Sequence, residues 1–208
     1  MSGAGDEMRA AFAEAAARDG IEFVSHAFDW LSEQGHVGLE RVAKARRDPA
    51  LVAPVSAALE VLAEVFAALG GDVSVLQAAR ANLLLPIALF HAPSGTVVEV
   101  DDVTHFTSPR LSSLELYPPG AQVAFDVAQH AALCRAWRAT SDALSRGLPA
   151  KGFGFGGVLR ERAYHDALRD LATPAMGHPP LIRIAAANGD GDGAYRRHRA
   201  ALQLIREA

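Results

Sequence analysis

The spacing of apolar residues along the chain changes twice, and the changes divide it into helical and extended segments. Residues 7–18 are rich in Ala, Glu and Arg and stop at Asp19-Gly20, which reads as a helix. Residues 21–34, with Phe23, Phe28, Trp30 and Leu31, read as a second helix stopped by Gly35. A third covers 38–47 and ends at Asp48-Pro49. Over 55–69, Leu59, Leu62, Phe66 and Leu69 fall at i, i+3, i+7 and i+10, one face of a strong helix closed by Gly70-Gly71. The period then shortens. Residues 73–78 and 82–90 are short apolar runs with β-branched members, Pro93-Ser94-Gly95 makes a turn, and 96–101 is β-branched and ends in acids. Three adjacent strands in an antiparallel meander are expected, with an interruption at Pro86.

The second half returns to helical spacing. Pro109, Pro118, Pro119 and Gly120 mark a loop after Phe106, followed by a long helix over 125–146 carrying Phe125, Leu133 and Trp137 as a core stripe. The glycine-rich 148–157 reads as a mobile loop and 158–171 as a helix. Pro179-Pro180 breaks the chain before a short buried strand at 181–185. A basic helix at 194–206, with Arg196-Arg197-His198-Arg199, ends it. This pattern predicts a single α/β domain over 1–208, with residues 1–50 as a helical cap too short to fold alone.

Composition narrows the function classes. Half the residues are apolar and 21% charged, an ordinary globular balance. A net charge of −4 argues against a general polyanion binder, although local basic clusters could still contact nucleic acid. The single cysteine, Cys134, can form no internal disulfide and reads as a buried small hydrophobe in a reducing, cytoplasmic setting. The N-terminus has neither a basic start nor an apolar stretch of signal-peptide type. No apolar run is read as reaching the roughly 20 residues of a spanning helix, so no membrane partner is expected. Oligomeric state is left open.

Candidate chemistry concentrates at one strand end. Glu99 and Asp101 are two apart on an expected strand, so both carboxylates share a face while Val98 and Val100 take the other. Like charges so placed are unfavourable unless a cation or a basic side chain lies between them. Asp102 and His105 follow where the chain leaves the sheet. A metal site, a proton-transfer site and a solvated strand end all remain open on spacing alone.

The run Val98-Glu99-Val100-Asp101-Asp102-Val103-Thr104-His105-Phe106 resembles the acidic strand end of the restriction-endonuclease-like superfamily, in its very-short-patch-repair-like and RNA-associated RAP-like branches. The wider order is similar as well. Helix 55–69 carries Glu60 and Glu64, and Gln77 stands in the first expected strand. Arg162, Tyr164, Asp166, Arg169 and Asp170 share a later helix, and Arg183 lies in the last strand. The resemblance covers about 55–106 and 158–185 as a core, with 107–157 as an insertion. It implies a mixed sheet flanked by helices and a divalent-metal-dependent nuclease using Mg²⁺ or Mn²⁺. Glu99, Asp101 and Glu60 would be metal ligands, and His105 would join Glu99 and Asp101 in catalysis. Arg110, Arg162 and Arg169 would hold phosphates, with Gln77, Tyr164, Asp166 and Arg183 in support. The pattern departs at Leu85-Pro86-Ile87, where the family carries a metal-binding Asp.

Two further readings stay beside the nuclease. One is an inactive module on the same scaffold that binds nucleic acid or protein. The other is a small-molecule enzyme using the acids and His105 for acid–base work. On helix 158–171, Arg162 and Asp166 form a favourable i,i+4 pair, whereas Asp166 and Asp170 repel.

Overall fold

The computed structural model describes residues 3–145 and 147–206. Residue 146, the expected end of the long helix, lies outside them. Among these residues the main helices are α1 (Ala4–Ala17), α2 (Gly35–Arg46), α3 (Pro49–Ala68), α4 (Val73–Ala78), α5 (Ser108–Leu114), α6 (Val127–Leu144), α7 (Val158–Ala175) and α8 (Gly191–Arg206). The strands are β1 (Val24–His26), β2 (Ile87–His91), β3 (Thr96–Asp101) and β4 (Ile182–Ala185). They form one mixed sheet in the order β1-β2-β3-β4. The first three run antiparallel, and β4 joins β3 in parallel after a crossover through α5, α6 and α7.

The alternation along β3 builds two layers on the sheet. Val98 and Val100, with Leu89 and Ile184, pack against Met8 and Phe12 of α1 and Tyr195 and Leu202 of α8. Val97 and Phe90 turn to the other face, into a core shared with Leu62 and Phe66 of α3 and Leu168 of α7. Glu99, Asp101 and, on β4, Arg183 share this second face, because a strand alternates with period two. α7 is therefore the element that must answer their charges.

Several expected elements differ. Residues 21–34 are not a helix: Val24–His26 pairs with β2 as an edge strand, so residues 1–50 contribute to the sheet rather than only capping it. Ile21 and Phe23 flank Glu22 at a period of two, the spacing of an extended chain rather than of a helix. Residues 73–78 are helical, not extended. The Asp72 carboxylate accepts from the Ser74 amide and starts the turn, and that cap outweighs the short Val-x-Val alternation. Strand β2 begins only after Pro86, which has no amide to give a ladder. The expected loop after Phe106 contains α5, capped by Thr107 with Pro in its first turn, a position where proline favours a helix instead of breaking it. The expected mobile loop at 148–157 is pinned by the Ala150–Gly154 bridge and by buried Phe153. Helix α3 has 20 residues and a mean hydropathy of 1.8, long and apolar enough to cross a membrane by length and composition, counter to the sequence expectation. Here it buries Leu51, Val55, Leu62, Val65 and Phe66 and packs on α2 and α7.

Candidate active site

Where β3 ends, the chain turns through a short 3-10 segment, Val103–His105, started by the Asp102 carboxylate accepting from the Thr104 amide at 2.8 Å. That turn sends His105 back over the sheet toward α7. From α7, Asp166 and Asp170 point inward one helical turn apart, and Arg183 of β4 fills the space between them and Asp101. Its Nη1 donates to both Asp101 oxygens at 2.7 and 3.0 Å, its Nε to Asp170 at 2.7 Å, and its Nη2 lies 3.2 Å from Asp166. The far Asp170 oxygen accepts from Arg110 Nη2 at 2.6 Å and from the Tyr117 hydroxyl at 2.7 Å. His105 Nδ1 closes the other end, 3.2 Å from Asp166 and 3.5 Å from Asp101. The repulsion expected between Asp166 and Asp170 is thus answered by buried arginines.

Burial alone would make these charges costly, and the pairing decides the outcome. Burial works to raise the Asp166 carboxyl, but Arg183 and His105 overcome it and hold it well below the usual range. Asp170 is lowered against the same burial by Arg183 and Arg110. Burial opposes the His105 imidazolium, yet Asp166 and Asp101 prevail and raise its pKa. Glu99 goes the other way: burial raises its carboxyl, and Arg169 and Arg183 offset this only in part.

Above this network lies an open cavity of about 830 Å³. Pro86, Ala88 and Glu99 lie on the strand side, Asp102, Thr104 and His105 on the turn. Arg162, His165, Asp166 and Arg169 form the α7 wall, and the start of α1, including Asp6 and Arg9, lies opposite. It opens beside the C-terminal end of β3, next to Ser25 of β1 and the start of β2.

Of the residues expected at the site, Glu99, His105, Arg162, Asp166 and Arg169 line the cavity together. Asp101 is fully buried beneath them, both oxygens taken by Arg183. Arg183 sits at the centre of the network, in a supporting place. The remaining expectations are corrected. Arg110 has no exposed surface and is spent on Asp170 and Tyr117, so it cannot meet a phosphate. Tyr164 is buried and turns away from the acidic strand, its hydroxyl accepting from the His36 amide at 2.8 Å. Gly35 precedes it with φ +55°, and a Cβ there would overlap that hydroxyl. Gln77 is exposed on α4 and Glu60 on α3, and neither lines the cavity. Arg162 does not pair with Asp166 but donates to the Thr104 carbonyl at 3.2 Å. Buried Cys134, its thiol pushed up to about 11 by burial, suits the role of a small hydrophobe.

A hard divalent cation needs several oxygen ligands free to turn to it. Glu99 is the only carboxylate of the expected trio that qualifies. Among the described residues, no group of three or more His, Cys, Asp or Glu is disposed to hold a metal ion. The expected trio of Glu60, Glu99 and Asp101 therefore does not come together as a ligand set for Mg²⁺ or Mn²⁺.

Several polar cavity residues were not anticipated, among them His165 and Glu161 on α7 and Arg9 on α1. His165 was legible, since 162, 165 and 169 fall at i, i+3 and i+7 on one helical face. Arg9 was not, because its place depends on how α1 packs across the sheet. Comparison with family models, with curated proteins and with solved structures finds no match to this chain.

Proposed function

We propose that the cavity is a metal-independent acid–base site for a small-molecule substrate, built on a sheet whose order agrees with a restriction-endonuclease-like scaffold. The observation that carries this reading is the division of labour between the two acids of β3. Asp101 is consumed by Arg183, whereas Glu99 remains at the cavity with only 15% of its side chain exposed and its carboxyl raised by burial. A carboxyl raised by burial and facing a cavity holds its proton more readily than an exposed one, which suits it to exchange a proton with a bound substrate. His105, raised by two carboxylates, is suited to donate one. Asp166 holds the imidazole by Nδ1 and positions it. The cavity volume falls within the usual range for small-molecule pockets, about 300–1,000 Å³.

The nuclease reading keeps one supporting observation, the antiparallel β1–β3 meander with a parallel β4 reached through helices. It needs ligands that this site has assigned to ion pairs, so it stands second. The test combines calorimetric titration of Mn²⁺ with a thermal-shift screen of phosphorylated and carboxylated small molecules, each hit then assayed for turnover. The expected result is no saturable Mn²⁺ binding, and a hit whose turnover is lost in Glu99→Gln and His105→Asn while binding persists. Saturable Mn²⁺ binding that Glu99→Gln removes, with metal-dependent cleavage of labelled DNA or RNA, would overturn it in favour of the nuclease.

A further inference from the structure

The polar groups of the cavity divide into those that the protein already satisfies and those that it leaves free. Asp102 is engaged by the amide and hydroxyl of Thr104, Asp6 by the Gly3 amide and Arg9, and Asp166 by His105 and Arg183. Arg169 is different. Its side chain is 17% exposed, yet among the described residues its guanidinium donates no hydrogen bond, and its buried Nε has no partner. Glu99 Oε1 lies 3.4 Å from that Nε without the alignment of a hydrogen bond. A guanidinium carries five N–H donors in a fixed fork, and leaving them idle in a half-enclosed site is costly unless a ligand uses them.

The charge around Arg169 points to the sign of that ligand. Arg162 spends only one N–H, on the Thr104 carbonyl, and His165 lies between the two arginines on the same face of α7. Among the described residues, the two cavity carboxyls that lack protein hydrogen bonds, Glu99 and Glu161, are both raised by burial, which weakens their claim on these cations. The fork matches an oxyanion, for which planar paired donors are the best partner.

Resting on the small-molecule reading above, we infer that the substrate carries an oxyanion, a phosphate or a carboxylate, held by the Arg169 guanidinium with Arg162 and His165 beside it. That anchor places a hydroxyl or amine of the same molecule against Glu99, so the anion fixes the pose and the acid does the proton transfer.

The probes are inorganic phosphate and acetate, each titrated by calorimetry into the wild-type chain, Arg169→Gln, Arg169→Lys and Glu99→Gln. Saturable binding of at least one anion is expected in wild type. It should weaken at least about tenfold in Arg169→Gln, the worth of a charged paired hydrogen bond, and less in Arg169→Lys, which keeps the charge but not the fork. Binding of phosphate alone assigns a phosphoryl substrate, and of acetate alone a carboxylate. Affinity should be unchanged or higher in Glu99→Gln, so the anion site can stand even if the acid–base assignment of Glu99 fails. Because Arg169 donates to no protein acceptor among the described residues, the Gln variant should fold. Should it not, the comparison of Lys with wild type decides alone. No saturable binding of either anion, or equal affinity in wild type and the folded Arg169 variants, overturns the inference. So does duplex DNA binding that depends on Arg169 while both small anions fail to bind.

Discussion

Helix α7 serves two regions that differ in one respect. On its inward side, Asp166 and Asp170 belong to a network in which each carboxylate meets at least one cation, and Arg183 meets three acids. On its cavity side, the side chains of Arg169 and His165 engage no protein hydrogen bond among the described residues, and the side chain of Glu99 opposite them makes none either. The composition of the two regions is nearly the same. The inner region spends its polar groups on folding, and the rim holds them in reserve. Buried polar groups are normally satisfied, so those left over at a cavity are the ones that invite a functional explanation.

The comparison is broken most forcefully at Arg183. Arg183→Met would leave Asp101, Asp166 and Asp170 facing one another with only Arg110 and His105 to answer them. Removing one partner of a buried ion pair typically costs about 3–5 kcal/mol, and a loss of at least that size is expected in urea denaturation. Arg169→Gln, on the cavity side of α7, should change stability by no more than about 0.5 kcal/mol, as substitutions outside satisfied networks do. Similar losses at the two arginines would erase the distinction between the regions.

The division was partly legible before any coordinates. The period-two alternation of β3 put Glu99 and Asp101 on one face, and the helical spacing of 162, 165, 166 and 169 put their partners on a single helix. Local chemistry also fixed the hairpin from Pro93 to Gly95 and the start of α7 after the glycines. The cap at Asp72, which made 73–78 a helix, was weighed too little against a two-valine alternation. Long-range pairing could not be read at all. Nothing near Arg110 announces that it will be buried against Asp170, 60 residues on, and nothing near Val24 announces its pairing to β2. Glu60 and Gln77 were placed by resemblance, which set Gln77 in a strand where the chain is helical and could not see which side chains would face away from the cavity.

A smaller effect is expected from His105, which joins the two regions. Its pKa is raised above the ordinary value of 6.5 by Asp166 and Asp101 against burial. A group raised on folding stabilises fully below its unfolded pKa, and that contribution is lost as pH rises through the folded one. Stability measured by denaturation should therefore decline as the pH is taken upward from about 6.5, and the decline should vanish in His105→Asn. Asp166→Asn should lower the His105 pKa, read from its ring proton shifts by NMR. An unchanged value would detach His105 from the inner network.

A small effect at Glu99 is the most informative about the rim. Glu99 has its carboxyl raised from the ordinary 4.5 by burial, with Arg169 and Arg183 offsetting this only partly. Below 4.5 the group is protonated in folded and unfolded chains alike, and it has no bearing on stability. As pH rises above that point the unfolded chain ionises first, so folding loses ground until the folded pKa is passed. Replacement by Gln removes this penalty while keeping the shape. Glu99→Gln should therefore match wild type near pH 4 and exceed it at pH 7 by about 0.5–1 kcal/mol, the gain typical when a functional strain is relieved. Urea denaturation at the two pH values reads the difference directly. If Gln instead lowers stability at pH 7, the contact between Glu99 and Arg169 is a working ion pair, the rim is as fully spent as the interior, and Arg169 has no charge left for a substrate.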